Sequence, residues 1–193
     1  MANKQNLPEH LENVRDWTLI ACDTGQRISD YLRFDETMIK IVDEVTLIEF
    51  KQKKTNKLIL LPLSDRILKI LHKRNGKFPK RISDQNFNLY IKELCKLVGL
   101  TEQTLGVKRE KQYLNDNDED SKIWRGTPGM YPKYELISGH TPRRSFCTNH
   151  YGIWPTSDIM YFSGHSTEKM LLEYIKAKPI ERALQIFKNL IKN

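Results

Sequence analysis

Two side chains near the start of one predicted helix have the types and the spacing to bind a phosphate group. His140 and Arg143 lie three positions apart in HTPRRSF, so a helix that begins there presents both on one side. The unpaired backbone N–H groups of a helix start also favour an anion. A guanidinium is always charged, and its fork of N–H groups matches phosphate oxygens. The pair therefore predicts an anion site.

A second set of candidate residues lies further along the chain. Gly164 and His165 precede Ser166-Thr167, which can cap a helix that carries Tyr174 about two turns later. On its own, each residue has an ordinary explanation. A single His is usually structural or solvated, and a Tyr that shares a helix face with Leu171 is usually a core residue. Only the joint pattern favours a reactive site.

Helical and extended patterns alternate in the elements that must hold these residues. Apolar residues at helical spacing predict a helix over 8–23 and a short second helix over 27–34. From 45 to 62, the β-prone runs VTLIEF and LILLP flank KQKKTNK and predict a hairpin with a lysine-rich tip, where Thr55-Asn56 takes the turn. IKIV at 39–42 is a candidate third strand.

The remaining segments are mostly helical. Ser64 and Ser83 cap two more predicted helices. Every charged residue from Arg66 to Arg81 is positive, which suits a solvated face as well as a DNA contact. The polar, turn-forming stretch 106–138 predicts a long loop or an exposed hairpin. Four helical segments follow, at 142–151, 155–163, 167–176 and 179–192. The predicted fold class is α+β, mainly α, with a small antiparallel sheet.

Composition and charge indicate a globular protein that binds a polyanion. The chain has 193 residues, enough for one domain with a full core, and 39% of them are hydrophobic. No apolar run approaches the length of a membrane span, and the N-terminus lacks a signal-peptide segment, so we expect a cytoplasmic protein without membrane contact. The net charge is +8. Nucleic acid fits it better than an acidic membrane, because no segment combines a basic face with a Trp/Leu/Phe face.

No metal or cofactor is predicted. The acidic run at 116–120 begins like a calcium loop, but Ser121 and Thr127 stand where Gly and a bidentate Glu are required. The histidines match no common zinc spacing. The cysteines lie far apart in apolar or helical contexts and are interpreted as separately packed side chains: Cys22, Cys95 and Cys147.

Together, the motifs resemble the catalytic domain of the tyrosine recombinase, or phage integrase, family. That family's boxes run roughly TGxRxxE, a lysine in a β-hairpin, HxxRH, and LGH followed by a tyrosine. This chain has TGQRISD at 24–30, the lysine-rich hairpin, HTPR at 140–143 and GH at 164–165, and the interval from His165 to Tyr174 matches. Order and spacing agree along essentially the whole chain. The resemblance implies the DNA breaking-rejoining fold, as one catalytic domain over 1–193 without the N-terminal core-binding domain that family members usually carry.

The resemblance assigns roles around one DNA phosphate. Arg27 and Arg143 would grip the nonbridging oxygens of the scissile phosphate. Tyr174 would be the nucleophile. His140 would assist the tyrosine's proton or fix the phosphate, and His165 would donate a hydrogen bond to the same phosphate.

The lysine-rich hairpin supplies the remaining role. Counting back from Pro62 aligns Lys54 with the family's general acid, which protonates the leaving 5′-oxygen, although Lys53 and Lys57 lie near enough to be alternatives. The hairpin and the second arginine box also predict DNA contacts, from Lys51, Lys53, Lys57 and Arg144.

Three positions depart from the family pattern. Arg144 stands where His or Lys usually follows the second arginine, a variant that resembles integrases of mobile elements from Bacteroides-like bacteria. Asp30 replaces the more frequent Glu, and its expected role is to hold a basic residue of the site in place. Ser163 replaces the usual Leu before Gly164. None of these changes removes a reacting group.

The implied activity is site-specific recombination, which cuts and rejoins double-stranded DNA through a 3′-phosphotyrosine without nucleotide cofactor or metal. Family members act as tetramers on paired DNA sites. We expect a tetramer of the full-length protein and a monomer of this fragment, with 179–192 as the candidate docking segment. Two alternatives stay open: a noncatalytic DNA-binding module that kept the fold, and a type IB topoisomerase, which shares the chemistry.

Overall fold

The computed structural model describes residues 6–113 and 122–176, together with residues 180, 183, 184 and 187. Its helices are α1 Glu9–Thr24, α2 Ile28–Tyr31, α3 Asp65–Lys73, α4 Asp84–Leu97, α5 Thr141–His150, α6 Thr156–Ser163 and α7 Glu168–Ile175. Its strands are β1 Ile39–Val42, β2 Val45–Lys51, β3 Leu58–Pro62, β4 Gln103–Tyr113 and β5 Lys122–Pro132. The α+β fold class, mainly α, is confirmed. Among the described helices, none has the length and apolar character needed to cross a bilayer.

Helix α1 lies at the centre and contacts α3, α4 and α5. It begins after Pro8, and Glu9 and Glu12 in its first turn complement the helix dipole. Gly25 ends it in the left-handed conformation, with φ +65°. The inward face is apolar and buried, with Leu11, Val14, Trp17, Ile20 and Ala21. This packing brings the end of α1 close to α5.

The three-stranded sheet has the order β1-β2-β3 and is antiparallel throughout. Ile48 pairs with Leu61 and Phe50 with Ile59, and all four side chains are buried on the core face. Asn56 takes a positive φ of +54° at the tip. The predicted hairpin, its turn and the third strand at 39–42 are confirmed.

A second hairpin forms most of the stretch 106–138, for which the sequence predicts a long loop or an exposed hairpin. Strands β4 and β5 pair antiparallel along their full eleven-residue lengths. Pro128 fits there because both strands of a two-stranded ribbon are edges. A 3-10 turn, Lys133–Leu136, then leads towards α5. The acidic run at 116–120, which began like a calcium loop, lies outside the described residues.

The described core has two clusters of buried side chains. The larger one joins α1, α3, α4 and the three-stranded sheet around Trp17. The smaller one joins α5, α6 and α7 through Phe146, Cys147, Ile159 and Leu171. Phe162 packs against both clusters, so it links the segment that carries the HTPR and GH boxes to the rest of the domain.

The helix boundaries follow the predictions with one difference. Helices α5, α6 and α7 confirm the first three predicted C-terminal segments, and the fourth is described only at four helical positions. The second helix is shorter than predicted, because Arg27 is extended, with φ −73° and ψ 152°, and precedes α2 as its N-cap.

The cysteines are separately packed side chains, as predicted. Cys95 and Cys147 are buried, Cys22 is partly buried, and all three are free thiols. Burial raises the pKa of Cys22 and of Cys95 to about 11, so both stay protonated at neutral pH.

The basic run from 66 to 81 has a structural role that sequence analysis missed. Arg66 pairs with Asp23, and Lys73 and Arg74 pair with Asp16. Both aspartates lie on α1. Asp16 is 1% exposed, so its carboxylate is almost entirely removed from water and depends on these cations. Part of the positive charge on this face therefore fastens α3 to α1.

Asp16→Asn is expected to lower the free energy of unfolding by about 2 kcal/mol, because it weakens contacts to a buried carboxylate. Glu12→Gln is the matched control, since Glu12 pairs with Arg15 and Lys73 but its side chain is 40% exposed. The control is expected to cost less than about 1 kcal/mol. Urea unfolding of both variants measures the difference, and equal losses would contradict the role of burial.

Candidate active site

Arg143 is the buried centre of the candidate site. It lies on α5 and is 3% exposed. Its Nη1 donates to the carbonyl oxygen of Gly25 at 2.9 Å, and its Nη2 lies 3.4 Å from Nε2 of His165. Burial, and secondly the charge of Arg27, lower the pKa of the guanidinium. It nevertheless stays charged, because arginine does not deprotonate in proteins.

Arg27 lies beside it at the junction of α1 and α2. Its Nη1 is 3.5 Å from Oε1 of Gln52, and its Nη2 donates to the carbonyl oxygen of Gly164 at 3.3 Å. Both arginines of the site are therefore held by neutral oxygens. These contacts fix the guanidinium groups without neutralising their charge.

Described carboxylates do not neutralise the arginines of the site. In the described part of the chain, the arginines that form ion pairs are Arg15, Arg33, Arg66 and Arg74. Arg27, Arg143 and Arg144 form none with the described carboxylates. Because like charges held together at low dielectric repel, this cluster favours an anion that bridges them.

His165 lies in the connection between α6 and α7. Its Nδ1 is 2.7 Å from Oγ of Ser163, and that hydroxyl also lies 2.6 Å from the carbonyl oxygen of Ile159. A carbonyl only accepts, so Ser163 donates to Ile159 and accepts the Nδ1–H of His165. Nε2 then carries the lone pair of the neutral ring and faces Arg143. Burial, Arg143 and Arg27 lower the pKa of His165 to about 4.

Tyr174 lies on α7 at the edge of this cluster. Its hydroxyl donates to the backbone oxygen of His140 at 3.2 Å, and its ring centroid is 5.0 Å from that of His165. The guanidinium carbons of Arg143 and Arg144 lie 5.7 and 5.1 Å from the ring centroid. Burial raises the pKa of the phenol, and the two arginines oppose this shift. Without DNA, Tyr174 is protonated at neutral pH.

His140 is the N-cap of α5 and is exposed. The described contact to Tyr174 comes from the His140 backbone, not from its ring. Partial burial and the charges of Arg143 and Arg144 lower the pKa of the imidazole. The ring is therefore neutral at neutral pH and able to accept a proton.

Lys54 lies in the exposed turn between β2 and β3. Its neighbours are anchored: the Lys53 N–H donates to Oδ1 of Asp30 at 2.8 Å, and Oγ of Thr55 donates to Oε1 of Gln52 at 2.8 Å. Among the described residues, no hydrogen bond or ion pair joins the Lys54 ammonium to the cluster around Tyr174. The turn reaches the cluster through Gln52, which also contacts Arg27.

The other predicted DNA contacts lie on the surface, and of these Arg144 lies beside the Tyr174 ring. Lys51, Lys53 and Arg144 are exposed, and Lys57 places its ammonium 4.9 Å from the ring centroid of Tyr161. A cleft of about 740 Å³ opens beside the Tyr174 ring, and its basic lining residues are Lys92, Lys108, Arg109 and Arg144. Lys108 pairs with Glu135 across it at 2.8 Å. Basic side chains therefore line the cleft beside the tyrosine.

Sequence analysis missed two buried amides of the site, Gln26 and Gln52, which are 0% and 1% exposed. It identified Gln26 only as a position within the TGQR box. Burial of a polar residue next to box residues was the missing signal, and burial is not visible in the sequence. No group of three or more described His, Cys, Asp or Glu residues lies close enough together to hold a metal ion.

The sequence profile of the phage integrase family matches residues 2–180. The chain belongs to the phage integrase family. No curated protein sequence matches it. As a family member, it carries at Tyr174, Arg27, Arg143 and the GH box the residues that the resemblance singled out.

Solved structures of integrases and recombinases share the fold. XerA recombinase has 12% identity and a TM-score of 0.59, over 94% of this chain and 61% of its own. The Tn1549 transposon integrase bound to transposon right end DNA has 14% identity and a TM-score of 0.56, over 98% and 68%. XerH recombinase bound to difH has 14% identity and a TM-score of 0.55, over 93% and 51%. The chain thus spans about half the length of the XerH chain.

Gly25→Ala is expected to lower the free energy of unfolding by about 3 kcal/mol. A Cβ there would lie 2.4 Å from Cδ1 of Phe146, and φ is +65°. Gly76→Ala is the matched control, because Gly76 has φ +81° but open space around it, so only the backbone cost of about 1 kcal/mol applies. Chemical denaturation compares the two variants, and equal costs would exclude a close approach of α5 to Gly25.

His165 is expected to make the protein less stable as the pH falls from about 6.5 towards 4. In that range the unfolded chain binds a proton at His165 that the folded chain excludes, because the folded pKa is about 4 against 6.5. His165→Gln is expected to reduce this slope, and the lowered pKa values of His140 and His150 leave a remainder. Urea unfolding across this pH range measures it, with exposed His72→Gln as control. An unchanged slope in His165→Gln would count against a neutral, partly buried ring.

Proposed function

We propose that the chain is the catalytic domain of a site-specific recombinase that cuts and rejoins double-stranded DNA through a 3′-phosphotyrosine on Tyr174. The observation that carries the proposal is the arginine cluster at the Tyr174 ring, which forms no ion pair within the described part of the chain. Arg143 lies 5.7 Å from the Tyr174 ring centroid, Arg27 acts electrostatically on Arg143 and His165, and neither arginine forms an ion pair with a described carboxylate. A phosphodiester supplies the missing negative charge and is the group that a tyrosine oxygen attacks.

The first chemical step exchanges one ester for another. The Tyr174 oxygen attacks the phosphorus, its phenolic proton passes to a base, and the bond from phosphorus to the 5′-oxygen breaks. The 5′-oxygen leaves with a proton from Lys54. The products are a phosphotyrosine diester and a free 5′-hydroxyl, so no nucleotide cofactor is needed and a second 5′-hydroxyl reverses the step.

The protonation states support this assignment. Tyr174 is protonated in the free chain and must lose its proton. Its hydroxyl is bound by the backbone oxygen of His140, and the neutral ring of the same residue is able to accept a proton. A bound phosphate adds negative charge that offsets Arg27 and Arg143, so it favours protonation of His165 at Nε2. His165 then becomes a donor to the phosphate while Ser163 keeps hold of Nδ1.

Fixed cations replace a metal in the proposed mechanism. Negative charge grows on the nonbridging oxygens in the transition state, and arginines already in place stabilise it without reorganisation. Each such group is worth about 10²–10³ in rate. We therefore expect cleavage in the presence of a chelator.

Double-stranded DNA is the proposed partner. The XerH structures are bound to difH, the Tn1549 integrase structures to transposon DNA and a lambda integrase dimer to a core site. In this chain, the net charge of +8 and the exposed Lys51, Lys53, Lys57 and Arg144 favour the same kind of partner. A tetramer on paired sites remains the proposal for the full-length protein.

The test uses a pool of nicked duplexes of randomised sequence, incubated with the chain in EDTA. A nick near the cleavage position lets the short product diffuse away and traps the covalent intermediate. We expect a protein–DNA adduct whose phosphate maps to Tyr174 by mass spectrometry. Tyr174→Phe is expected to abolish the adduct with nearly unchanged DNA affinity, and Tyr161→Phe, which alters another exposed tyrosine, is expected to keep it.

Other results of this experiment oppose the proposal in distinct ways. DNA binding without any adduct indicates a noncatalytic module. An adduct on a different residue makes the nucleophile assignment wrong, and loss of the adduct in EDTA makes metal independence wrong. Relaxation of supercoiled plasmid by the isolated chain indicates a topoisomerase.

A further inference from the structure

We propose that Gln52, through its buried amide pair with Gln26, is a positioning residue that holds the Lys54 turn and Arg27 in one fixed arrangement. The inference rests on the proposed function, because it concerns the geometry of the same reaction. Neither glutamine would touch the substrate. Each acts through the groups that it holds.

The two amides are fully buried, so their hydrogen bonds must be made within the protein. Nε2 of Gln52 donates to Oε1 of Gln26 at 2.8 Å. Nε2 of Gln26 donates in turn to the carbonyl oxygens of Phe162 at 2.5 Å and of Thr24 at 3.0 Å. Because carbonyl oxygens only accept, the Gln26 NH₂ group must face Phe162 and Thr24, and its Oε1 must face Gln52. These bonds therefore fix the orientation of both amides.

The other end of the pair faces the reactive groups. Oε1 of Gln52 accepts from Oγ of Thr55 at 2.8 Å and lies 3.5 Å from Nη1 of Arg27. Both neighbours are donors to this oxygen, which agrees with the orientation set by Gln26. One amide oxygen therefore serves both the hairpin turn and the first arginine.

Lys54 is clamped on both sides by buried side chains. The Lys53 N–H binds Asp30, which is 0% exposed, and Thr55 Oγ binds Gln52, which is 1% exposed. An exposed turn without such bonds samples many backbone conformations. The two bonds select one conformation and leave only the Lys54 side chain to move.

The same amide sets the distance to the His165 loop. A Cβ on Gly164 would lie 2.7 Å from Oε1 and 2.9 Å from Nε2 of Gln52, so the absence of a side chain there lets the loop approach. Gly164 also holds Arg27 through its carbonyl oxygen. The hairpin, Arg27 and the His165 loop thus meet at Gln52.

A buried polar pair is costly compared with apolar residues of the same size, so it is retained where it fixes a geometry. A general acid must lie within hydrogen-bond reach of the leaving oxygen. Loss of one positioning hydrogen bond is therefore expected to slow cleavage about tenfold. Loss of the acid itself is expected to slow it about 10²-fold or more.

The test separates leaving-group effects from all others. Duplexes recovered from the randomised nicked pool are made with either oxygen or sulfur at the 5′-bridging position of the scissile phosphate. A thiol, with a pKa of about 8.5, leaves without a proton, whereas an alcohol needs one. Gln52→Met is expected to form adduct about tenfold more slowly than wild type on the oxygen substrate and to recover most of that loss on the sulfur substrate. Lys54→Ala is expected to show a larger loss with the same recovery.

Two further variants serve as controls. Thr55→Val removes only the hydroxyl that joins the turn to Gln52, so it is expected to repeat the Gln52→Met pattern and keeps the test valid if Gln52→Met fails to fold. Asn13→Ala removes a buried amide remote from the site, whose Nδ2 donates to the Lys80 oxygen at 2.7 Å. It is expected to lower stability without changing the ratio of sulfur to oxygen rates.

The outcomes of the test are distinct. A loss of equal size on both substrates, in Gln52→Met or in Thr55→Val, contradicts the positioning of the Lys54 turn and overturns the proposal, which requires Gln52 to hold the turn and Arg27 together. Unchanged cleavage of the oxygen substrate also overturns it. If wild type forms no adduct with either substrate, the proposed function fails and this inference fails with it.

Discussion

The site depends on a buried guanidinium that has no described carboxylate partner. Burial of a charge without a counter-ion is unfavourable, and Arg143 is held instead by a carbonyl oxygen and by the lone pair of a neutral histidine. The Gly25 carbonyl reaches Arg143 because α1 ends in a left-handed glycine directly against Phe146 of α5. An uncompensated buried charge lowers stability, and this cost is expected where the site is to bind an anion from outside the chain, as we propose.

Buried polar side chains, more than apolar packing, hold the reactive groups around this arginine. Asp30 binds the turn before Lys54, Gln52 binds the turn after it, and Ser163 binds the ring of His165. All three lie at or below 1% exposure. Hydrogen bonds have direction, so they set the orientation of a side chain, whereas apolar contacts mainly set its distance. Apart from the buried Arg143, the proposed chemistry lies on exposed or half-buried residues, and more deeply buried side chains set their positions.

Local patterns allowed much of the fold and the set of candidate residues to be predicted. The hairpin from 45 to 62, helix α1 and the helix that carries Arg143 depend on spacing within short segments, which periodicity reveals. The contacts that assemble the site join distant positions, such as Gln26 with Phe162 and Asp16 with Arg74. Their energy comes from burial in the folded chain, so composition could not distinguish a paired Arg74 from a free one. The same limit hid Gln52, whose polar type gives no sign of its burial.

Burial and nearby charge set the protonation states of His165 and Tyr174, and these states decide which proton transfers the proposed reaction needs. Arg27 and Arg143 repel a proton from His165, while burial keeps the proton on Tyr174. In the proposed reaction, an incoming phosphate favours the protonated form of His165, because its negative charge makes a protonated histidine more favourable beside the arginines. The same negative charge makes deprotonation of Tyr174 less favourable unless the positive charge of the arginines offsets it. Carbonyl oxygens, and no described carboxylate, accept hydrogen bonds from the two guanidinium groups. The arginines therefore keep the full positive charge that deprotonation of Tyr174 requires.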